Sequence, residues 1–174
     1  MNITVEVKSP TATTGTLEIN GKRYDCTLGR AGVIAPAQKA EGDGKTPLGI
    51  FPLRQLLYRA DRVAKPHTKL PVEILTAQTG WCEDPSHADY NKKITLPHPA
   101  ATDHMTREDH LYDYLVVIGY NDAPVVPGKG SAIFMHLARP DFGPTAGCVG
   151  LRPADLLEVL KYCDLASKIE IRLF

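Results

Sequence analysis

The sequence predicts a single, mostly β domain with a mixed sheet and a few short helices. Three observations predict it. The first third alternates apolar and polar residues at period two. Two apolar runs rich in strand formers, residues 112–120 and 132–136, stand in the second half. Only the stretch opening at Pro153 carries clear helical spacing.

The elements follow in order. Ile3, Val5 and Val7 alternate as one strand. Leu17 and Ile19 lead into Asn20-Gly21, the strongest short hairpin signal, and Tyr24 and Cys26 lie on the return. The glycine- and proline-containing stretch 42–51 reads as a structured loop entering a strand at Ile50-Phe51. It is not a phosphate loop: its Gly44-Lys45-Thr46 is followed by Pro47, not by a helix, and the Gly-x-x-x-x-Gly-Lys spacing is absent. Residues 79–110 show little periodicity and hold Trp81 and four histidines (His87, His98, His104 and His110). Such a segment in a compact domain is expected to be a lid or capping segment, or else a surface excursion with short strands, one of them near Ile94-Thr95-Leu96. The runs 112–120 and 132–136 read as central strands, which puts His136 at or near a strand end. Pro153 opens a helix with Leu156, Leu157 and Leu160 on one face. Ile169, Ile171 and Leu173 alternate in a last strand that closes the sheet.

The chain has 174 residues, enough for one domain with a substantial core. No repeat or linker divides it, so residues 1–174 read as one unit. Lys+Arg and Asp+Glu both number 20, and this zero net charge argues against nucleic acid or an anionic membrane as the main partner. Apolar runs such as Leu115-Val116-Val117-Ile118 fall far short of the roughly 20 residues of a membrane helix. The alternating start is unlike a signal peptide's apolar core. Of the four cysteines, Cys26 and Cys163 read as buried apolar residues. Cys82 is open between a buried thiol and a disulfide with Cys26.

The chemistry concentrates at His136 and at Thr145-Ala146-Gly147-Cys148-Val149. A thiol is a weak nucleophile until it loses its proton, and a nearby imidazole is the usual device for taking it. The small residues before Cys148 let backbone N–H groups approach a reacting carbonyl. The pair reads as a cysteine acyl-transfer site, with thiolate-like reactivity near neutral pH expected of it. No metal is expected: His98, His104 and His110 recur every six residues, which fits neither one helical face nor a known finger.

Two motifs together carry a family resemblance over essentially the whole chain. Gly44-Lys45-Thr46-Pro47-Leu48-Gly49-Ile50-Phe51 is similar to the Thr-Pro-x-Gly-x-Phe of YkuD-type L,D-transpeptidase catalytic domains. His136 followed by Thr145-Ala146-Gly147-Cys148-Val149 is similar to their His…Ser/Thr-x-Gly-Cys-Val/Ile. The resemblance implies a YkuD-like β-sandwich or mixed-sheet domain and a peptidoglycan cross-linking enzyme. Cys148 is then the nucleophile, His136 its base, and the N–H groups of Ala146, Gly147 and Cys148 hold the oxyanion. A thioester forms on a donor stem peptide, and a diaminopimelate amine of an acceptor stem resolves it. The resemblance further implies a periplasmic or cell-envelope location, acylation by carbapenems, and no cofactor.

Three positions depart from the family pattern. Leu137 stands where Gly is common, Thr145-Ala146 replaces Ser-His, and Gly150 takes the place of a familiar arginine, with Arg152 two residues later. Arg139 is therefore the preferred partner for a substrate carboxylate, against an ordinary surface ion pair, and Thr145 is a further contact. Tyr120 and Asn121 face the cleft or, for Tyr120, the core. Trp81 caps the cleft or packs under it. These departures, with the stretches 119–125 and 130–134, resemble a compact proteobacterial subgroup that joins L-Ala of one stem to diaminopimelate of another. The same thioester would serve an L,D-carboxypeptidase or endopeptidase if water replaced the amine. A non-enzymatic wall-binding module would have no use for Cys148 and His136.

Overall fold

The computed structural model describes residues 1–174. The strands are β1 (Ile3–Val7), β2 (Thr14–Ile19), β3 (Lys22–Thr27), β4 (Val33–Ile34), β5 (Thr46–Pro47), β6 (Gly49–Tyr58), β7 (Val72–Ile74), β8 (Thr79–Cys82), β9 (Lys93–Thr95), β10 (Thr102–His104), β11 (Tyr114–Ile118), β12 (Phe134–Leu137), β13 (Val149–Leu151) and β14 (Lys168–Leu173). One helix, α1 (Pro153–Leu160), and a 3-10 turn (Pro36–Gln38) are the helical elements.

The main sheet is mixed and runs β11-β12-β13-β3-β2-β1-β14-β6-β7. A further antiparallel pairing of β6 with β11 closes all of it but β7 into a ring. The pairs β1–β14, β12–β13 and β6–β7 are parallel. The last strand does not close the sheet as its position in the sequence suggested. β14 lies inside it, hydrogen-bonded to β1 on one edge and β6 on the other, with Ile169 and Ile171 buried.

Local chemistry accounts for most elements. Asn20 and Gly21 both take positive φ (52° and 71°), the mirror-image turn that matches the twist of β2 and β3. The β11 run is continuously apolar because both of its faces are covered. Tyr114, Val116 and Ile118 enter the main core inside the ring. Leu115 and Val117 enter a second cluster with Trp81, Tyr112, Phe134 and Cys148. Pro153 sits in the first turn of α1, where its missing N–H costs nothing. Leu156, Val159 and Leu160 are buried, and the expected Leu157 is only half-buried at the edge of that stripe. The helix ends before Cys163, whose thiol donates to Val159 O at 3.3 Å.

Residues 79–104 contain the small antiparallel sheet β10-β8-β9. Its strands are only three or four residues long, too short to show a period. All four cysteines are free and buried, so the Cys26–Cys82 disulfide is not formed.

Candidate active site

β12 carries His136, registered against Leu115 of β11 and Gly150 of β13. Cys148 directly precedes β13, and the parallel β12–β13 pairing brings it alongside Phe134 and His136. Both residues line a pocket of about 370 Å³ with Arg30, Arg107, Leu111, Tyr112, Arg139, Pro144, Thr145 and Ala146.

The Cys148 loop is held by Thr145. Its Oγ1 donates to Cys148 O at 2.7 Å and accepts the Gly147 N–H at 3.0 Å. Its backbone is bonded on both sides, Thr145 N–H to Leu28 O at 2.9 Å and Arg30 N–H to Thr145 O at 2.8 Å. Gly147 has φ 138°, and a Cβ there would stand 2.9 Å from Lys45 O. The 44–51 motif thus forms the wall against which the Cys148 loop is pressed. Thr46 Oγ1 fixes that wall by accepting the Gly29 N–H at 2.9 Å. The Gly147 N–H, expected to hold an oxyanion, is already engaged by Thr145. The N–H groups of Ala146 and Cys148 have no intramolecular partner and remain available.

The resting thiol is bonded to backbone and makes no hydrogen bond to the imidazole. Cys148 Sγ donates to Ala132 O at 3.2 Å and receives the Phe134 N–H at 3.4 Å. Burial pushes the thiol up to about 12, against the lowering effect of the Phe134 N–H. Burial also holds His136 down at about 4. Its Nδ1–H donates to Leu137 O at 2.8 Å, which assigns the proton to Nδ1 and leaves Nε2 with a bare lone pair. The Tyr112 ring meets the imidazole edge-on at 5.5 Å between centroids, and its hydroxyl donates to Asp103 at 2.9 Å. Both shifts favour the uncharged forms, thiol and imidazole.

The family model of the YkuD L,D-transpeptidase catalytic domain matches residues 3–171. The chain belongs to this family. Among solved structures it is similar to L,D-transpeptidase 1 of Mycobacterium tuberculosis, with 15% identity and a TM-score of 0.39 over 97% of this chain and 58% of that one. The chain therefore spans rather more than half the length of that structure. No curated protein matches it.

Not every residue expected at the site of this L,D-transpeptidase domain reaches the pocket. Trp81 packs under it, edge-to-face on Phe134 at 5.0 Å, with its indole N–H given to Asn91 Oδ1 at 3.1 Å. Tyr120 lies in the main core against Phe51, its hydroxyl bonded to Lys129 O. Asn121 has φ 50°, and its amide nitrogen braces a turn by donating to Val126 O and Gly130 O. A strand end followed by Asn-Asp-Ala-Pro suggested cleft contacts, but the side-chain amide satisfies its own loop. Thr145 lines the pocket with both hydroxyl bonding roles taken up by the loop. Arg139 lines it too, 3.5 Å from Asp141. Arg152 stands outside, stacked on Phe142 at 4.0 Å, beside an adjoining cavity of about 750 Å³ that shares Arg107, Leu111 and Arg139 with the pocket.

Arg30, Arg107, Tyr112, Ala132 and Asn91 escaped the sequence reading. Asn91 (φ 57°) is a buried hub: Oδ1 accepts the N–H of Ala132 at 3.0 Å as well as that of Trp81, and Nδ2 donates to Tyr120 O and Asn121 O. It thereby holds Ala132 at φ 55° with its carbonyl on the thiol. Tyr112 and Ala132 carried a signal, each as the first residue of a run read as strand, though β11 and β12 begin at Tyr114 and Phe134. His87, Asp89 and His98 do converge within 4.8 Å. Both imidazole Nδ1 atoms accept backbone N–H groups, from Asp89 and Ala100, which puts the protons on Nε2 and suits hydrogen bonding more than ligation.

Proposed function

We propose that this domain is a peptidoglycan L,D-transpeptidase that works through a thioester on Cys148. One observation carries the reading: a nucleophile and a base with a bare Nε2 share one pocket, beside two unpaired backbone N–H groups. The Cys148 sulfur attacks a stem-peptide carbonyl while its proton passes to His136 Nε2. The N–H groups of Ala146 and Cys148 take the oxyanion, an arrangement worth about 3 kcal/mol per donor. The departing amine leaves with the proton from Nε2. A diaminopimelate amine of the acceptor stem then attacks the thioester, yields its proton to Nε2, and restores the thiol.

The bond we propose joins L-Ala of one stem to diaminopimelate of another, supported by the resemblance of residues 119–125 and 130–134, with the departures at Leu137, Thr145-Ala146 and Gly150, to that subgroup. We also propose that residues 1–174 act as one domain in the cell envelope, with residues 79–110 as its capping segment. Support for the capping role comes from Arg107 of that segment, which lines the pocket, while Trp81 and Asn91 brace its floor.

The test is incubation with purified muropeptides, read by liquid chromatography and fragmentation mass spectrometry. New dimers are expected, with fragment ions placing L-Ala at the acyl side. Trimmed monomers without dimers would make the protein a hydrolase, and no change in any muropeptide would favour a binding module.

A further inference from the structure

We propose that Arg30 is the carboxylate-recognising residue of this pocket, and so a specificity-determining group for the peptide at Cys148. The inference rests on the acyl-transfer reading and names the part of the substrate it binds. Three guanidinium groups line the pocket. Arg107 is bound in a two-point fork to Asp109 at 2.9 and 2.6 Å. Arg139 lies 3.5 Å from Asp141. The Arg30 side chain has neither an ion pair nor a hydrogen bond within the chain. With Cys148 and His136 neutral and two of the arginines matched by aspartates, the one uncompensated charge in the pocket belongs to Arg30.

Its placement is built. The Arg30 N–H is bonded to Thr145 O at 2.8 Å, so the residue is fastened to the nucleophile's own loop. The next amide, Ala31 N–H, is bonded to Gly44 O at 3.0 Å. The side chain lies over Gly44: a Cβ there would come within 2.8 Å of the guanidinium carbon and 3.0 Å of Cγ. Gly44 thus leaves a bed for the side chain. The guanidinium is exposed above Gly44 and offers a planar fork that fits a carboxylate. Its ligand is a free carboxylate on a residue close to the attacked carbonyl. Arg139, chosen from the sequence for this task, already has Asp141.

Two alkylating reagents of nearly equal shape separate the charge from everything else. Iodoacetate carries the carboxylate, iodoacetamide the neutral amide. Cys148 is 7% exposed while the other three thiols are fully buried, so peptide mass mapping of the folded chain reads Cys148 alone. The ratio of the two rates cancels the thiolate fraction. In Arg30→Gln the iodoacetate-to-iodoacetamide ratio is expected to fall about fivefold, the scale of an exposed ion pair, and Arg30→Lys should fall between. Arg139→Gln should change it less. An unchanged ratio in a folded Arg30→Gln protein overturns the inference.

Stem peptides and their carboxamides then locate the carboxylate. A wild-type preference for the free acid in Cys148 acylation, lost in Arg30→Gln, places it on the donor. A preference confined to the aminolysis step places it on the acceptor. If the reagent ratio falls but no peptide acylates Cys148, Arg30 stands as an anion site and the transpeptidase reading fails.

Discussion

The thiol of Cys148 donates to the carbonyl oxygen of Ala132 at 3.2 Å and makes no hydrogen bond to His136. The resting site is therefore a neutral pair, each member displaced by burial in the direction that keeps it uncharged. In the mechanism proposed above, charge separation follows substrate binding, when the sulfur turns from Ala132 to Nε2 and the oxyanion donors gain a partner. The sequence points to thiolate-like reactivity near neutral pH, whereas burial favours the thiol, and the two expectations part at the alkylation rate.

The pH profile of Cys148 alkylation tests this in the free protein. With the thiol at about 12, the rate with iodoacetamide should stay low between pH 6 and 8 and still be climbing above pH 10. His136→Gln should leave the profile nearly unchanged, because the imidazole it removes is neutral. A plateau near neutrality that vanishes in His136→Gln would mean an ion pair instead.

His136 should also govern acid stability. Its folded value of about 4 lies below the ordinary 6.5, so the unfolded chain binds the extra proton first as pH falls. Stability is present above pH 6.5 and lost on the way down to 4, by about 3 kcal/mol at pH 4. The melting temperature of His136→Gln should accordingly fall less than that of wild type over this range. In turnover, His136→Ala should lose about 10² to 10⁴ in kcat/KM near pH 7 and recover partly at high pH.

The strands with local signals were legible. Asn20-Gly21 specified its turn, and alternation marked β1, β2 and β14. The position of β14 inside the ring was not legible, because alternation reports which faces are buried and says nothing about which strands flank an edge. Of the small sheet at 79–104 only β9 was marked, near Ile94-Thr95-Leu96, because strands of three or four residues are too short to show a period. At the site, Cys148 and His136 were legible because their chemistry is unusual. Asn91 and Ala132 were not: an asparagine at positive φ in a loop looks like any turn residue, and nothing local says that its amide will reach four backbone and indole partners.

Gly147→Ala should show how tightly the two motifs are joined. A methyl group would stand 2.9 Å from Lys45 O, a backbone atom, at a φ of 138° that L-residues avoid. The loop must move, at a cost of about 1–3 kcal/mol. A lower melting temperature and a large loss of muropeptide turnover are expected; full activity would mean that the wall at Lys45 is not needed to aim Cys148.

A carbapenem should acylate Cys148, in keeping with the family. Intact mass should rise by one drug molecule in wild type and not in Cys148→Ala, whose melting temperature should stay close to that of wild type. An adduct that persists in Cys148→Ala would remove the nucleophile assignment.

Asn91 offers the sharpest separation of scaffold from chemistry. Its amide meets four partners, and Asn91→Ala would leave the N–H groups of Ala132 and Trp81 and the carbonyls of Tyr120 and Asn121 unpaired in a buried place. Each orphaned group costs about 1–3 kcal/mol, so a loss of 3 kcal/mol or more is expected in denaturant unfolding. Trp81→Phe removes the indole N–H and part of the ring volume, leaves the backbone carbonyls of Tyr120 and Asn121 and the Ala132 N–H bonded to Asn91, and should cost about 1–3 kcal/mol. The two variants should differ at Cys148 as well. Without Asn91 nothing holds Ala132 at positive φ, its carbonyl leaves the thiol, and the alkylation rate should change severalfold. With Trp81→Phe the carbonyl stays, and the rate should lie within about twofold of wild type. Equal alkylation rates in Asn91→Ala and wild type, in protein shown to be folded, would mean that Ala132 needs no help from Asn91 to hold its place on the sulfur.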